Sequence, residues 1–242
     1  MAIHTATFLG AEPLAEGTRG FRFAKPEGFS FRAGQAVNVT LLDPPETDGK
    51  GNSRTFSLVT APHEETLAIA TRMRDTAFKR VLGSLAEGTT VKLRGPMGTF
   101  TLPDDPARPV VFLAGGIGIT PFVSMLRHEA KAGSTRPRLL VYSNRRPEDA
   151  PFLDELQSLA GADGPFRLVG TMTEMERSAR EWTGERAMVD AAFLARHLPA
   201  AGASGAVHYL AGPPAMVAGL RALLKGAGVA DADIRTDEFF GY

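Results

Sequence analysis

The sequence predicts an α+β protein of two domains: an antiparallel β domain over residues 1–105 precedes a parallel α/β domain over residues 106–242. Three observations support this fold class. Short apolar runs separated by Gly/Pro-rich turns fill the first hundred residues. Strands begin to alternate with helices after Pro109, as in βαβ units. A proline-rich stretch at 103–109 separates the two patterns, and 242 residues suffice for two small domains.

In the first domain, strands are predicted where β-branched and apolar residues cluster between turns: 37–42, 55–59, 67–72 and 91–94. Their regular spacing is typical of a small antiparallel barrel or sandwich. One helix is predicted over residues 77–85. Thr76 directly precedes it and is a good N-cap, because its hydroxyl can accept a hydrogen bond from the first helical turn.

In the second domain, the strand predicted at 110–114 is entirely apolar, as expected of a strand buried on both faces of a parallel sheet. Thr120 and Pro121 then supply an N-cap and a first-turn proline for a helix that ends near Lys131. Further strands are predicted at 139–143 and 207–211, with helices at 151–159 and 214–227.

Charge and composition exclude several classes of protein. The chain holds 27 basic and 27 acidic residues, divided 12 and 12 before residue 106 and 15 and 15 after it, so neither half predicts a nucleic-acid partner. The absence of cysteine excludes disulfides, a catalytic thiol and a cysteine-ligated iron–sulfur cluster in this chain. The five histidines share no ligand spacing, so we predict no metal site. Residues 1–10 lack the pattern of a signal peptide, and no apolar stretch reaches membrane-spanning length, which favours a cytoplasmic protein.

Two glycine turns, Gly115–Pro121 and Ala211–Met216, each follow an apolar strand and precede a helix. Glycines at a strand's carboxyl end allow the backbone to approach a phosphate or dinucleotide closely. Two such turns in one α/β domain place both strand ends at one rim of the sheet. In the first domain, the strand through Arg54 carries alternating side chains: Arg54 and Phe56 share one face, and Thr55 and Ser57 share the other.

Six segments, in this order, resemble the ferredoxin–NADP reductase superfamily of flavoproteins: 33–35, 54–57, 72–74, 95–100, 115–121 and 212–216. The resemblance runs from about residue 5 to Tyr242. It implies a FAD-binding barrel followed by a Rossmann-like NAD(P)-binding domain. Three positions depart from the family pattern: Phe56 replaces a tyrosine, Ala211 replaces a frequent cysteine, and residues 75–79 lack a glycine pair.

Site residues follow from the resemblance. Arg54 would bind the FAD pyrophosphate, Phe56 would pack on the flavin or its ribityl chain, and Ser57 would be catalytic through a hydrogen bond near flavin N5. The other implied FAD contacts are Thr55, Thr71, Arg72, Met73, Arg74, Thr76, Phe78 and Lys79. The implied nicotinamide-nucleotide contacts are Gly116, Gly118, Thr120, Pro121, Gly212, Pro213 and Met216.

The choice between NADPH and NADH depends on the turn after the second strand of the α/β domain. Ser143, Asn144, Arg145 and Arg146 occupy that turn, and serine with arginine suits the 2′-phosphate of NADPH. The acidic residues at 148–149 could instead fold back toward a ribose hydroxyl. We therefore favour NADPH over NADH without excluding the latter.

The aromatic C-terminus is the last candidate element. In similar reductases a C-terminal aromatic residue covers the flavin until nicotinamide displaces it. The resemblance implies this role for Phe239, Phe240 or Tyr242, with Phe240 and Glu238 as catalytic candidates, Glu238 as a proton donor. The sequence leaves the choice among the aromatic residues open.

The expected function is a FAD-dependent NAD(P)H oxidoreductase that passes electrons to a separate one-electron carrier of ferredoxin or flavodoxin type. Two alternatives stay open. One is a reductase of a diffusible acceptor such as free flavin, a quinone or a ferric chelate. The other is an electron-transfer subunit of a larger complex.

Overall fold

The computed structural model describes residues 2–161, 164–198 and 205–240. The chain forms two compact units. The first comprises the residues up to Leu102 together with Thr120–Glu129, and the second comprises Pro103–Ile119 and the residues from Ala130 onward. The first unit therefore differs from the predicted 1–105 segment, because it includes ten residues of a helix that follows the first glycine turn. Among the described residues, no helix combines the length and the hydropathy needed to cross a membrane.

The first unit is built on a six-stranded antiparallel sheet in the order β4-β3-β6-β1-β2-β5. The strands are β1 Ala2–Ala15, β2 Thr18–Ala24, β3 Ala36–Leu41, β4 Ser53–Ser57, β5 Thr66–Arg72 and β6 Thr90–Met97. A bridge between Leu58 and Ile69 joins the segment after β4 to β5, so the two outer strands of the sheet also meet each other. This closure gives the predicted barrel and removes free sheet edges.

The core of this unit is apolar and rich in phenylalanine, and includes Phe8, Phe21, Phe23, Phe56 and Phe78. The helix α1 (Ala77–Gly83) contributes Phe78, Val81 and Leu82 to it. The Thr76 side chain accepts a hydrogen bond from the amide of Lys79 and caps this helix, as predicted.

The helix α2 (Thr120–Lys131) begins at Thr120, with Pro121 in its first turn. Its residues contact the first unit. The Ser124 hydroxyl donates a hydrogen bond to the carbonyl of Thr60 at 2.7 Å, and Phe122 lies against Phe100 with ring centres 5.7 Å apart. These contacts explain why the helix groups with the barrel.

The second unit holds a five-stranded parallel sheet in the order β11-β10-β7-β8-β9. Its strands are β7 Val110–Gly115, β8 Arg138–Asn144, β9 Phe166–Met172, β10 Val207–Gly212 and β11 Ile234–Glu238; the helices are α3 Leu153–Leu159, α4 Ala191–His197 and α5 Pro214–Gly226. Numbered within this unit, the strand order is 3-2-1-4-5, so the chain reverses direction across the sheet between β7 and β10. Ligands of open parallel sheets bind outside the carboxyl ends of the strands at such a switch point. The predicted two-domain α+β fold class is confirmed.

Candidate cofactor-binding sites

Three cations lie near each other on the first unit: Arg54 on β4, Arg74 after β5, and Lys79 on α1. Burial, together with the positive charges of Arg74 and Arg54, lowers the pKa of Lys79 to about 8. The Lys79 ammonium donates a hydrogen bond to the carbonyl of Arg72 at 2.7 Å. Cations that repel one another in this way form a ready site for a multiply charged anion. The diphosphate of FAD fits this donor set.

Two of the predicted contacts of this site have buried side chains. Thr71 is 1% exposed and Phe78 is 2% exposed, so neither side chain is open to a ligand. Phe78 instead supports Arg54, whose guanidinium carbon lies 5.1 Å from the centre of the Phe78 ring. Residues Arg74 and Thr76 are exposed, and Arg72 and Met73 are half-buried, so these four residues are accessible to a ligand.

Phe56 and Ser57, at the end of β4, are both buried although they lie on opposite faces of the strand. Phe56 is 9% exposed and packs on Phe78 with ring centres 5.9 Å apart, so most of its surface serves the core rather than a flavin. Ser57 is 6% exposed, and its hydroxyl has no hydrogen-bond partner within the described part of the chain. A nearly buried hydroxyl without a partner is a donor available to a ligand. Thr55 is exposed and accepts a hydrogen bond from Asn38 at 3.3 Å.

In the second unit, the two glycine turns pack directly on each other. A Cβ atom at Gly118 would collide with the carbonyl of Ala211 and the amide of Gly212, and one at Gly115 would collide with Met216. The absence of side chains at these positions therefore allows the turns to meet at the switch point. Gly116 differs, because it has φ +54° and open space where a Cβ would stand. A backbone left uncovered at the carboxyl end of a strand fits a dinucleotide.

The residues predicted to contact the nicotinamide nucleotide differ from one another in their exposure to solvent. Thr120 is 1% exposed and Pro121 is buried, so neither side chain is available to a ligand in this arrangement, and the backbone of Gly118 is buried as well. Pro213 is exposed and Met216 is half-buried, as a role in shaping a slot requires.

The two arginines in the turn after β8 make different contacts. Arg146 donates two hydrogen bonds to Asp149, from Nε at 2.9 Å and from Nη2 at 3.0 Å. Arg145 is 65% exposed, and its Nε lies 3.4 Å from a carboxylate oxygen of Glu174. Ser143 is half-buried, whereas Asn144 is 7% exposed, and within the described ranges neither polar atom of its side chain has a hydrogen-bond partner.

The acidic residues of this turn face the protein. Burial alone would raise the pKa of Glu148, but its backbone and hydrogen bonds from Ser178, Ala179 and Arg180 outweigh that effect and lower it to about 2. The Ser178 hydroxyl and the amides of residues 179 and 180 lie 2.8–3.0 Å from the carboxylate. With Asp149 bound to Arg146, both carboxylates are engaged in protein contacts.

A pocket of about 720 Å³, which the sequence did not predict, lies at the carboxyl end of β9. Its lining is both aromatic and charged: Met172, Thr173, Met175, Glu176, Arg180, Glu181, Trp182, Thr183 and Arg186. Trp182 packs edge-on into a slot formed by Gly170 and Gly184, where a Cβ at either glycine would collide with the indole. Its Nε1 donates to the carbonyl of Glu185 at 2.9 Å. The only sequence signal was a single tryptophan in an arginine-rich segment.

The C-terminal residues continue from β11 beside the second glycine turn. Glu238 pairs with Gly212 in the sheet, and the amide of Phe239 donates to the Gly212 carbonyl at 2.9 Å. Glu238 is exposed, Phe239 is half-buried and Phe240 is 74% exposed. Tyr242, the third aromatic candidate, lies outside the described residues.

Among the described residues, no group of three or more His, Asp or Glu side chains could hold a metal ion. The donors described above suit anions and nucleotides instead. The two units together define an oxidoreductase that binds FAD and a nicotinamide nucleotide.

Comparison with known proteins agrees. The Oxidoreductase NAD-binding domain family matches residues 112–222. Ferredoxin--NADP reductase B of Sorangium cellulosum (strain So ce56) is 33% identical over 229 residues, which are 91% of each chain. The chain belongs to the ferredoxin–NADP reductase superfamily, whose members are flavin-dependent NAD(P)H oxidoreductases.

Other relatives are longer. The propane 2-monooxygenase reductase component of Mycolicibacterium smegmatis (strain ATCC 700084 / mc(2)155) is 32% identical over 199 residues, 80% of this chain but 54% of that protein. A ferredoxin NADP+ reductase from Neisseria gonorrhoeae, solved with bound FAD and NADP, superimposes with a TM-score of 0.81 over 98% of this chain and 99% of that one. At 23% identity, this likeness shows the shared fold.

Proposed function

We propose that the protein oxidises NADPH and passes the electrons one at a time to a separate carrier protein of ferredoxin or flavodoxin type. The observation that carries this proposal is the pairing, in one chain, of a cationic anion site on the barrel with glycine turns at the switch point of the parallel sheet. Bound FAD and NAD(P)H would supply the redox chemistry. The 242 residues contain no cysteine and therefore supply no thiolate ligand to an iron–sulfur cluster.

The barrel would hold FAD chiefly by its diphosphate. Arg54, Arg74 and Lys79 supply the charges, and a guanidinium can donate in parallel to phosphate oxygens. Thr76 caps α1 and fixes the turn that carries Lys79. The Ser57 hydroxyl is the polar group at the inner end of β4, and we assign it to a hydrogen bond with the flavin ring near N5.

The preference for NADPH rests on the turn after β8. Arg145 is exposed and can reach a phosphate, while Glu148 and Asp149, the carboxylates that would favour a ribose hydroxyl, are bound elsewhere in the protein. The adjacent pocket at Trp182 has the size and the aromatic surface for the adenine end of the nucleotide. Arg146, by contrast, would stabilise the turn rather than bind phosphate.

The tail is proposed to regulate access of nicotinamide. Phe240 is 74% exposed and follows Phe239, whose amide donates to the Gly212 carbonyl of the second glycine turn. Glu238 is exposed close by and is the candidate proton donor. A cytoplasmic location stays a prediction.

Separate assays test the donor and the acceptor. Purified protein reconstituted with FAD is mixed anaerobically with NADPH or NADH, and the flavin absorbance near its visible maximum is followed. The reduced protein is then offered a ferredoxin, a flavodoxin, a quinone, free flavin and a ferric chelate in parallel. Rapid reoxidation by a carrier protein at micromolar concentration supports the proposal. Reoxidation only by small acceptors would replace it with the diffusible-acceptor alternative.

A further inference from the structure

The loop between β3 and β4, residues 42–52, is long for a connection between adjacent antiparallel strands, which commonly takes two to five residues. It is nevertheless fastened at several points. The Asn52 side chain donates to the carbonyl of Leu41 at 2.7 Å, and the amide of Lys50 donates to the Asp48 carboxylate at 2.9 Å. The loop thus holds Asp48 in a defined place.

Asp48 is one of several groups that surround the Arg54 guanidinium. The carboxylate accepts from Nη2 of Arg54 at 2.7 Å. Nη1 donates to three carbonyls, those of Lys50, Gly51 and Ser53, at 2.8–2.9 Å. The Arg54 guanidinium also lies over the Phe78 ring, with its central carbon 5.1 Å from the ring centre. Within the described part of the chain, the Nε–H of Arg54 has no acceptor, so this edge is available to a ligand.

A second ion pair ties the same loop to α1. Glu46 accepts from Nε and Nη2 of Arg80 at 2.8 and 2.5 Å, and Arg80 also pairs with Asp75. The loop is therefore anchored on both elements that carry the diphosphate ligands, β4 with Arg54 and α1 with Lys79. Because the loop is attached to both β4 and α1, its position does not depend on a single contact.

Fixing a long side chain before binding has a thermodynamic consequence. A free arginine loses rotamer entropy when it binds a phosphate, whereas one already held by protein contacts does not lose it again. The opposing effect is competition, because a carboxylate on Nη2 could exclude a phosphate. Because the Nε edge of Arg54 is open, we expect the gain in side-chain entropy to outweigh the competition from Asp48. Arg54, Arg74, Lys79 and Asp48 together also retain a net charge of about +2, which attracts a diphosphate.

Resting on the proposed FAD site, we infer that Asp48 is a positioning residue: it holds Arg54 over Phe78 with its Nε edge directed to the FAD diphosphate. Asp48 itself does not touch the cofactor. Its contribution to FAD affinity passes through Arg54 alone.

The test is a double-mutant cycle on FAD affinity, measured by titrating FAD-free full-length protein with FAD and following flavin fluorescence. We expect Asp48→Asn to raise the Kd about fivefold to tenfold, and Asp48→Glu, which keeps the charge, to restore most of the affinity. Asp43→Asn is the matched control, because it removes the same charge from the same loop and should change the Kd less than about twofold. In an Arg54→Ala background, Asp48→Asn should have no further effect.

Two results would overturn the inference. Asp48→Asn could bind FAD as tightly as the wild type or more tightly, which would show competition. It could also weaken binding equally with and without Arg54, which would show a general loop effect. Melting temperatures of the FAD-free variants separate unfolding from loss of affinity. Failure of the wild type to bind FAD at all would instead reject the proposed function.

Discussion

Arg146 and Asp149 form a paired contact with two hydrogen bonds, at 2.9 and 3.0 Å, in which the carboxylate is 11% exposed and the guanidinium 20% exposed. This ion pair joins two residues of the turn after β8 and stabilises the conformation of the turn. It occupies Asp149, one of the two carboxylates that would favour a ribose hydroxyl, and it leaves Arg145 as the exposed cation of the turn. Adjacent arginines in the sequence thus have different roles.

Arg145→Ala should raise the Michaelis constant for NADPH about tenfold and leave that for NADH nearly unchanged. The lost charge-assisted hydrogen bonds to the 2′-phosphate correspond to about 1.5 kcal/mol. Arg146→Ala is the matched control: it should lower the melting temperature and affect both nucleotides alike. Steady-state kinetics with each nucleotide measure this, and equal losses for NADPH and NADH in Arg145→Ala would remove the residue from phosphate recognition.

Gly118→Ala should weaken binding of both nicotinamide nucleotides and lower stability, because the new methyl group meets the backbone of Ala211 and Gly212. Gly219→Ala on α5 is the control. A Cβ there would have no neighbour within 4 Å, and replacing a helical glycine by alanine stabilises by roughly 0.5–1 kcal/mol. Nucleotide titration and thermal melting of both variants measure the difference. A Gly118→Ala protein that binds NADPH normally would contradict the close packing of the turns.

FAD affinity should fall as pH rises through about 8, where the Lys79 ammonium loses its proton. A bound diphosphate stabilises the charged form and raises the pKa of Lys79, so the contribution is complete below about 8 and is lost above it. Lys79→Arg should bind tightly without this pH dependence, and Lys79→Met should bind about tenfold more weakly. Lys92→Met is the control for loss of a lysine elsewhere on the barrel. FAD titrations from pH 6.5 to 9.5 give these profiles; a wild-type profile that is flat across this range would exclude Lys79 from the diphosphate site.

The unfolding free energy should decrease as pH falls below about 6.5 because of His208 on β10. The residue is 1% exposed, its Nδ1 has no hydrogen-bond partner among the residues that the structure describes, and burial lowers the pKa of its imidazole below 6.5. The unfolded chain therefore takes up a proton that the folded chain resists, and stability present above 6.5 is lost on acidification. His208→Gln should flatten the dependence between pH 7.5 and 5.5 in denaturant unfolding, whereas His63→Gln, at an exposed site, should not. If both variants follow the wild-type profile, His208 is not the titrating group.

Local signals account for the parts of the fold that could be predicted. The apolar run of β7, the cap at Thr76 and the glycine turns after β7 and β10 are each encoded within a few residues, and each is present. The edge strand β9 was not predicted. Part of its support comes from the distant segment at Glu185, which hydrogen-bonds to Gly170 and Met172. No local pattern reveals that pairing.

In the candidate site, too, some features could be predicted from local sequence and others depend on contacts made only in the folded chain. The family resemblance implied Arg54 and Lys79 as FAD contacts, and residue type and position made Arg145 a candidate for phosphate recognition. The sequence could not distinguish Arg145 from Arg146, because the difference lies in Asp149 and Glu174, which approach only in the folded chain. Burial of Thr71 and Phe78 likewise follows from closure of the barrel rather than from their own neighbours in sequence.

Ser57→Ala should retain FAD but slow its reduction by NADPH about tenfold. The hydroxyl is nearly buried and without a protein partner, so we expect its hydrogen bond to the flavin to matter more in the transition state than in cofactor binding. Ser53→Ala, which removes a hydroxyl from the other end of β4 at a position outside the predicted FAD contacts, is the control and should reduce normally. Stopped-flow spectroscopy under anaerobic conditions measures the rate, and an unchanged rate with full FAD occupancy would remove Ser57 from the catalytic set.

The most direct test of the whole account is the visible spectrum of the purified protein during an anaerobic titration with NADPH. We expect flavin absorption bands from stoichiometric bound FAD, and their complete bleaching by about one equivalent of NADPH, with NADH effective only at higher concentration. A protein that binds no FAD, or that keeps its flavin bands in the presence of both nucleotides, would contradict the account.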